Sequence, residues 1–295
     1  MKNIVNTAPQ RTLSPSSLRG GESSIGALLL ESGKITPENA ERVLLAQKEL
    51  GIRFGEAAQR LGLISDADIQ QVLALQFDYP YLRAGEGKYS DKLIAAYQPF
   101  STQVETLRAI RSQLMLRWFA RGRKALAIVG INPGDGASLF AANLAIVFSQ
   151  LGEHTLLVDA NLRSPCQQAI FDLQGRQGLS DVLANRAGLA AITKIESFVD
   201  LSVLGAGTLP PNPQEMLNRS SFGELNAQFE ARFDVVLYDA AAFLTGSDAL
   251  AIASRATGVL VVARKNYTRV NDINTMCEQM VHGGAEVVGS VLLDF

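Results

Sequence analysis

The feature that most constrains this chain is a glycine-rich loop between an apolar run and a predicted helix. The run Ala125 to Val129 predicts a buried parallel strand that leads into the loop. In the pattern G-x-x-x-x-G-K-[ST], backbone N–H groups cradle phosphates, the lysine reaches the β/γ-phosphates and the hydroxyl binds Mg²⁺. Here Gly136, Ala137 and Ser138 occupy the last three positions. The sequence therefore predicts a phosphate cradle without its lysine.

Two further predicted strands end in acidic residues. Thr155 to Val158 is followed by Asp159, and Phe233 to Asp239 ends in an aspartate. Carboxylates at the carboxyl ends of parallel strands can face a nucleotide and hold Mg²⁺. We therefore predict Asp159 and Asp239 as remnant catalytic residues and, together with Ser138, as Mg²⁺ ligands. The residues predicted to contact ATP or ADP are Gly134, Asp135, Gly136, Ala137, Ser138 and Leu139.

A simple turn is the alternative for this loop, because Pro, Gly and Asp are common in turns. The order of loop, second strand and third strand favours the nucleotide site instead. The composition agrees with a globular protein, since 47% of the 295 residues are hydrophobic and 19% are charged. A net charge of -2 argues against nucleic-acid binding. With no long apolar run and no secretory signal, we expect a cytoplasmic protein without a membrane-spanning segment.

An internal repeat precedes the loop. Residues 24–47 align without gaps onto residues 53–76, and each copy predicts a short helix, a glycine and a second helix. Thr36 and Ser65 are the predicted caps of the second helices, and Ser65 with Asp68 resembles a capping box. Such self-similarity indicates two copies that bury their apolar faces together.

This repeat resembles the MshEN-type domain at the front of type II secretion and type IV pilus ATPases, which binds cyclic di-GMP. The residues that match the family's binding motif are Gly26, Gly33, Gln47, Arg53, Gly55, Gly62 and Gln76. Two positions depart from it, since Ser24 replaces the first arginine and Ala58 replaces a leucine. Serine cannot make the bidentate contacts of arginine, so we expect the Arg53 copy to dominate. The alternative is a helical docking module that uses the glycines only for turns.

The domain boundaries follow from these patterns. We expect a disordered tail over residues 1–23, the repeat domain over 24–81, a linker over 82–103 and the P-loop domain over 104–295. The linker is predicted from its proline and glycine content. Immediately after it, Val104 to Phe119 predicts a helix with Glu105, Arg108 and Arg111 on one face.

From about Pro99 onwards the chain resembles the kinase domain of the bacterial tyrosine autokinases of exopolysaccharide synthesis. The matching segments are PFSTQVETLRAIRSQL, PGDGAS, AANLAIVFSQ, LLVDANLRSP, GLSDVLA, LPPNPQEML and FDVVLYD. The resemblance implies a doubly wound, mostly parallel α/β sheet, and assembly into a homo-oligomeric ring through the motif of Glu105, Arg108 and Arg111. It also implies a transmembrane chain-length determinant as partner, with recruitment to the inner face of the membrane.

The chain departs from this family at the site itself. Ala137 stands where the family has lysine, Asn161 where it has a second aspartate, and Ala240 follows Asp239 where it has threonine. The family's tyrosine-rich tail is not matched, because the last tyrosine is Tyr267. These departures predict a degenerate regulator of polysaccharide chain length.

The alternative is a working kinase or ATPase that uses a displaced cation, with Arg163, Arg264 and Lys265 as the candidates. A positioning ATPase of the ParA/MinD type is a third hypothesis. Asn132 argues against it, because that group carries an extra lysine near the start of its loop.

Overall fold

A computed structural model describes residues 25–76, 81–82 and 87–295. The chain divides between residues 79 and 80 into two compact units. The predicted tail and Ser24 lie outside the described residues. In the described ranges, no helix combines the length and apolar character needed to cross a bilayer.

The first unit consists of the repeat. Its helices are α1 (Ile25–Glu31), α2 (Pro37–Leu50), α3 (Phe54–Arg60) and α4 (Asp66–Gln76). The predicted capping is confirmed: the Thr36 hydroxyl accepts the Asn39 N–H at 3.3 Å. Ser65 and Asp68 form a reciprocal capping box. The Ser65 N–H donates to the Asp68 carboxylate at 2.9 Å, and the Asp68 N–H donates to the Ser65 hydroxyl at 3.2 Å. Local side chains therefore set where the second helix of each copy begins.

The two copies pack into each other. Helix α1 of the first copy lies against α4 of the second, and α2 lies against α3. Their shared core contains Leu29, Val43 and Ala57, each fully buried. Because every helix packs on a helix of the other copy, neither copy buries its apolar face alone.

The second unit alternates helices and strands. Its helices are α5 (Ile94–Tyr97), α6 (Thr102–Arg117), α7 (Ala137–Ser149), α8 (Gln167–Ile170), α9 (Leu179–Leu183), α10 (Pro213–Leu217), α11 (Ser220–Arg232), α12 (Asp248–Ala256) and α13 (Val270–His282). Its strands are β1 (Ala125–Gly130), β2 (Thr155–Asp159), β3 (Thr193–Lys194), β4 (Leu201–Leu204), β5 (Val235–Asp239), β6 (Gly258–Arg264) and β7 (Glu286–Leu293).

These strands form a sheet in the order β3-β4-β2-β5-β1-β6-β7. The pairing is parallel except between β3 and β4. Side chains of β1 alternate between two cores, with Leu126 and Ile128 on one face and Ala127 and Val129 on the other. Both faces of β1 are covered, which explains its unbroken apolar run. The predicted doubly wound α/β fold is confirmed.

The α7 helix is buried around its whole circumference. Every residue from Phe140 to Ser149 is buried. The sheet covers one side, and α5 and α6 cover another. A helix that is apolar all round must be covered all round. The segment before α6 supplies part of that cover.

The predicted linker over 82–103 is therefore corrected for residues 87–103, which belong to the second unit. Leu93 is fully buried in the same core as α7. The Ala95 N–H donates to the Asn143 side-chain oxygen of α7 at 2.9 Å. Proline and glycine in this segment permit its turns, but they do not separate it from the unit.

Candidate nucleotide site

The glycine loop lies between β1 and α7, at the carboxyl ends of the neighbouring strands β1, β5 and β2. Gly134 and Gly136 have φ values of 86° and 87°, in the left-handed region that favours glycine. The first helical bond of α7 runs from the Phe140 N–H to the Gly136 carbonyl at 3.0 Å. The N–H groups of Ala137 and Ser138 precede that bond, so they can donate to an anion.

The Asp135 carboxylate stabilises the loop from within. The residue is 1% exposed. One carboxylate oxygen accepts the N–H groups of Ile131 at 3.1 Å and Asn132 at 2.8 Å, and the Thr268 hydroxyl at 3.1 Å. The carboxylate of this predicted nucleotide-binding residue is thus bonded to the protein itself.

The predicted metal ligands lie together beneath the loop. Asp159 and Asp239 are direct neighbours in the β2–β5 register, and both are fully buried. The Ser138 hydroxyl donates to one Asp239 oxygen at 2.9 Å. The Asp159 carboxylate accepts the N–H groups of Asn161 at 3.2 Å and Cys166 at 3.0 Å. Asp159 and Asp239 meet although they are 80 residues apart in sequence, because the carboxyl ends of neighbouring parallel strands lie at one edge of the sheet.

The two carboxyl groups titrate as a pair. Burial, followed by the charge of Asp159, raises the pKa of Asp239 to about 8. Burial also raises the pKa of Asp159 to about 6, against the opposing effect of its N–H donors. Since backbone N–H donors favour a carboxylate anion, Asp159 carries the charge and Asp239 the proton when one proton is shared.

Sequence reasoning missed Gln167, which completes this cluster. The side chain is fully buried. Its Nε2 donates to Asp239 at 2.8 Å and to the Ser138 carbonyl at 2.9 Å. Among the described residues its Oε1 has no hydrogen-bond partner. Its one available signal was its position shortly after the loop that follows β2.

Hydroxyl, carboxylate and amide oxygens are the ligands that Mg²⁺ prefers. The unpaired Gln167 oxygen beside Ser138 and Asp239 adds such a donor to the predicted set. These oxygens are of the chemical type that suits a magnesium ion, although the two carboxylates already accept hydrogen bonds from the protein. Cys166 contributes no charge to the cluster, because burial and the neighbouring Asp239 raise the pKa of its thiol to about 12.

A cavity of about 430 Å³ opens above the loop. This is within the volume range of small-molecule sites. Ala137 and Ser138 line it, as does Asn161. Ser90 and Lys92, which the sequence placed in a linker, also line it.

The three cations that the sequence offered as substitutes for the loop lysine have other partners. Arg163 forms a bidentate pair with the buried Asp248, at 2.6 and 3.0 Å. The Lys265 ammonium pairs with Asp294 at 2.7 Å. Arg264 lies 4.5 Å from the centre of the Phe295 ring and donates to the carbonyl of that residue at 3.2 Å. These contacts hold each cation to another part of the protein.

The charged face of α6 makes contacts within its own unit. Arg108 pairs with Glu105 one turn earlier. The Arg111 guanidinium donates to the Val147 carbonyl of α7 at 2.5 Å. Arg111 thus has a structural role in this unit, while Glu105 is well exposed.

The predicted cyclic di-GMP residues have different surroundings. A Cβ on Gly26 would lie 3.2 Å from the Phe54 ring, and one on Gly55 would lie 3.2 Å from Ile69, so both glycines permit close helix packing. Arg53 is exposed at the start of α3.

The other four predicted residues lie on helices α2 and α4 or at helix ends. Gly33 and Gly62 have φ values of 68° and 66°. Gln47 is half-buried on α2, and Gln76 is the last residue of α4.

A mostly parallel sheet, a glycine loop at a helix N-terminus and aspartates at adjacent strand ends define a P-loop nucleotide-binding fold. No profile of a known protein family matches the chain. Tyrosine-protein kinase YwqD of Bacillus subtilis is 31% identical over 212 residues, which span 72% of this chain and 90% of YwqD. The chain belongs to the bacterial tyrosine kinase family that includes this relative.

Tyrosine-protein kinase Wzc of Salmonella typhimurium is 30% identical over 201 residues, and the chain spans 28% of its length. Among solved structures, the chimerical protein CapA2B2 matches with a TM-score of 0.64 and 31% identity, over 76% of this chain and 97% of that one. The kinase domain of Escherichia coli tyrosine kinase ETK matches with a TM-score of 0.66 and 26% identity, over 72% and 84%. The septum site-determining protein MinD of Pyrococcus horikoshii, complexed with Mg-ADP, shares the fold at 21% identity and a TM-score of 0.51.

The buried carboxyl pair predicts how stability depends on pH. A carboxyl whose pKa is raised on folding contributes stability below its unfolded pKa and loses it as pH rises through the folded pKa. For Asp239 that window runs from the ordinary 3.8 to about 8. We expect the free energy of unfolding, measured in urea, to fall with rising pH across this window, and Asp239→Asn to flatten the fall.

Asp91→Asn is the matched control, because Asp91 is exposed. It should leave the pH dependence of stability as in the wild type. If the free energy of unfolding fell equally with pH in the wild type and in Asp239→Asn, Asp239 would not be the group that takes up the proton on folding.

Proposed function

We propose that the second unit is a nucleotide-binding regulator of exopolysaccharide polymerisation, export and chain length that is impaired in phosphoryl transfer. The observation that carries this proposal is Ala137, whose side chain lines the cavity at the position of the loop lysine. Loss of one preorganised charge at a transferring phosphoryl group costs on the order of 10²- to 10³-fold in rate. Asn161 removes a further charge from the same cavity.

Nucleotide binding is retained in this proposal. The loop keeps its N–H donors, and Ser138, Asp159 and Asp239 would hold Mg²⁺ with ATP or ADP. Ground-state binding needs fewer preorganised charges than stabilisation of the transition state does. The partner expected from the resemblance is a transmembrane chain-length determinant, which would recruit the protein to the membrane.

Restoring the family's charges tests the impairment. Wild-type protein incubated with Mg-ATP should form neither phosphotyrosine nor appreciable ADP. Ala137→Lys combined with Asn161→Asp should gain ATP hydrolysis, because the lysine would enter the cavity and the new carboxylate keeps the oxygen that accepts the Ser164 N–H. The measurement is ADP release, with phosphotyrosine detected by mass spectrometry.

Adding Asp159→Ala to the restored variant should abolish the gain. Robust phosphotyrosine on the wild type, lost in Asp159→Ala, would contradict the proposal and favour the working kinase.

We also propose that the α6 face of Glu105 and Arg108 mediates homo-oligomerisation. Arg108→Ala should lower the mass measured by light scattering at tens of micromolar, a range that detects weak association. Arg111 is left in place because its bond to Val147 supports the fold. Arg117→Ala, on the exposed end of the same helix, should leave the mass unchanged. A wild type that is monomeric under these conditions would exclude this assembly.

For the first unit we propose binding of cyclic di-GMP, with Arg53 as its main contact. The exposed guanidinium supports this, because arginine gives charge-assisted bidentate bonds to phosphate. In calorimetry on the full chain, Arg53→Ala should weaken binding by about 10-fold or more, and Ser24→Ala should have a much smaller effect. Arg42→Ala, an exposed change on α2, is the control. Absence of binding heat at high micromolar ligand would favour a docking module.

A further inference from the structure

The backbone around Lys92 is fixed against the helices of the site. The Ser90 N–H donates to the Ile170 carbonyl of α8 at 2.9 Å. Asn143 of α7, only 4% exposed, accepts the Ala95 N–H at 2.9 Å and donates to the Lys92 carbonyl at 3.3 Å. A buried side chain that satisfies two backbone groups holds the segment in one conformation.

The same asparagine ties this segment to the glycine loop. Its amide nitrogen also donates to the Leu139 carbonyl at 3.0 Å, in the first turn of α7. Asn143 therefore contacts both the backbone of Lys92 and the turn whose N–H groups face the cavity. These hydrogen bonds hold the backbone of Lys92 in place relative to the first turn of α7.

Lys92 is the one residue with a cationic side chain among the described residues that line the cavity. In the described part of the chain, no carboxylate forms an ion pair with its ammonium. Lys92 thus adds a cationic side chain to a cavity lining that also contains Ala137 and Ser138, whose N–H groups can donate. Both kinds of group favour an anion, and phosphate in particular.

We infer that Lys92 binds the phosphate groups of a nucleoside di- or triphosphate in this cavity, in place of a lysine at position 137. The inference rests on the proposed nucleotide binding and identifies the cation that makes it possible. Lys92 belongs to the segment before α6, so it is not part of the loop that positions the transferring phosphoryl group. It stabilises bound phosphates without restoring the geometry that transfer requires.

The test is calorimetry on the full chain with ATP, ADP and adenosine in the presence of Mg²⁺. Lys92→Met removes the charge and keeps the apolar stem. It should weaken ATP and ADP binding by about 10- to 100-fold and leave adenosine binding unchanged. Lys92→Arg keeps a cation and should retain most of the affinity for ADP.

Lys88→Met is the matched control, since Lys88 is an exposed lysine of the same segment and does not line the cavity. It should bind ADP like the wild type. The Lys92→Met effect should also shrink as salt is raised, because exposed charges are screened. Thermal unfolding of each variant checks that the fold is intact.

The outcomes separate the two proposals. If the wild type binds ADP and Lys92→Met binds it equally well, the inference about Lys92 is wrong and the proposed nucleotide binding stands. If Lys92→Met weakens adenosine as much as ADP, the lysine has a structural role and the inference is also wrong. If the wild type binds no ADP while Ala137→Lys does, both proposals fail.

Discussion

The complete burial of α7 is the constraint on which the second unit depends. Every residue of its run from Phe140 to Ser149 is buried and most of them are apolar, and exposing apolar surface costs about 25 cal/mol per Å². The sheet covers one side only, so the chain before α6 must fold back over another. That requirement brings Leu93 into the core and Lys92 to the edge of the cavity. It also fixes the N-terminus of α7, with its free N–H groups, at the end of β1.

Hydrogen-bond donors of the protein surround the two buried carboxyl groups beneath the loop. Two ionised carboxylates side by side in a buried place would repel each other strongly. A proton on Asp239, together with donors from Ser138 and Gln167, relieves that repulsion within the protein. Asp159 remains charged because backbone N–H groups surround it. The site therefore keeps its acidic residues without a lysine in the loop.

In the first unit, helix packing and backbone conformation explain part of the matched motif. Gly26 and Gly55 are needed where helices of the two copies approach closely, so their presence is explained by the fold. Gly33 and Gly62 are explained by their left-handed backbone at helix ends. Among the described residues, the exposed Arg53 at the start of α3 makes no side-chain cap hydrogen bond, and it is the residue on which the proposal of ligand binding rests.

The sequence by itself determined the local elements. Apolar runs predicted β1, β2 and β5, the glycines predicted the loop, and Thr36 and Ser65 predicted helix starts, because period and capping depend on neighbours along the chain. Only the tertiary structure decided which distant groups meet. It placed Gln167 on Asp239. It tied the backbone of Lys92 to Asn143, and it turned the Asp135 carboxylate onto the loop's own N–H groups. Such contacts follow from how layers pack over α7, and no local pattern records that packing.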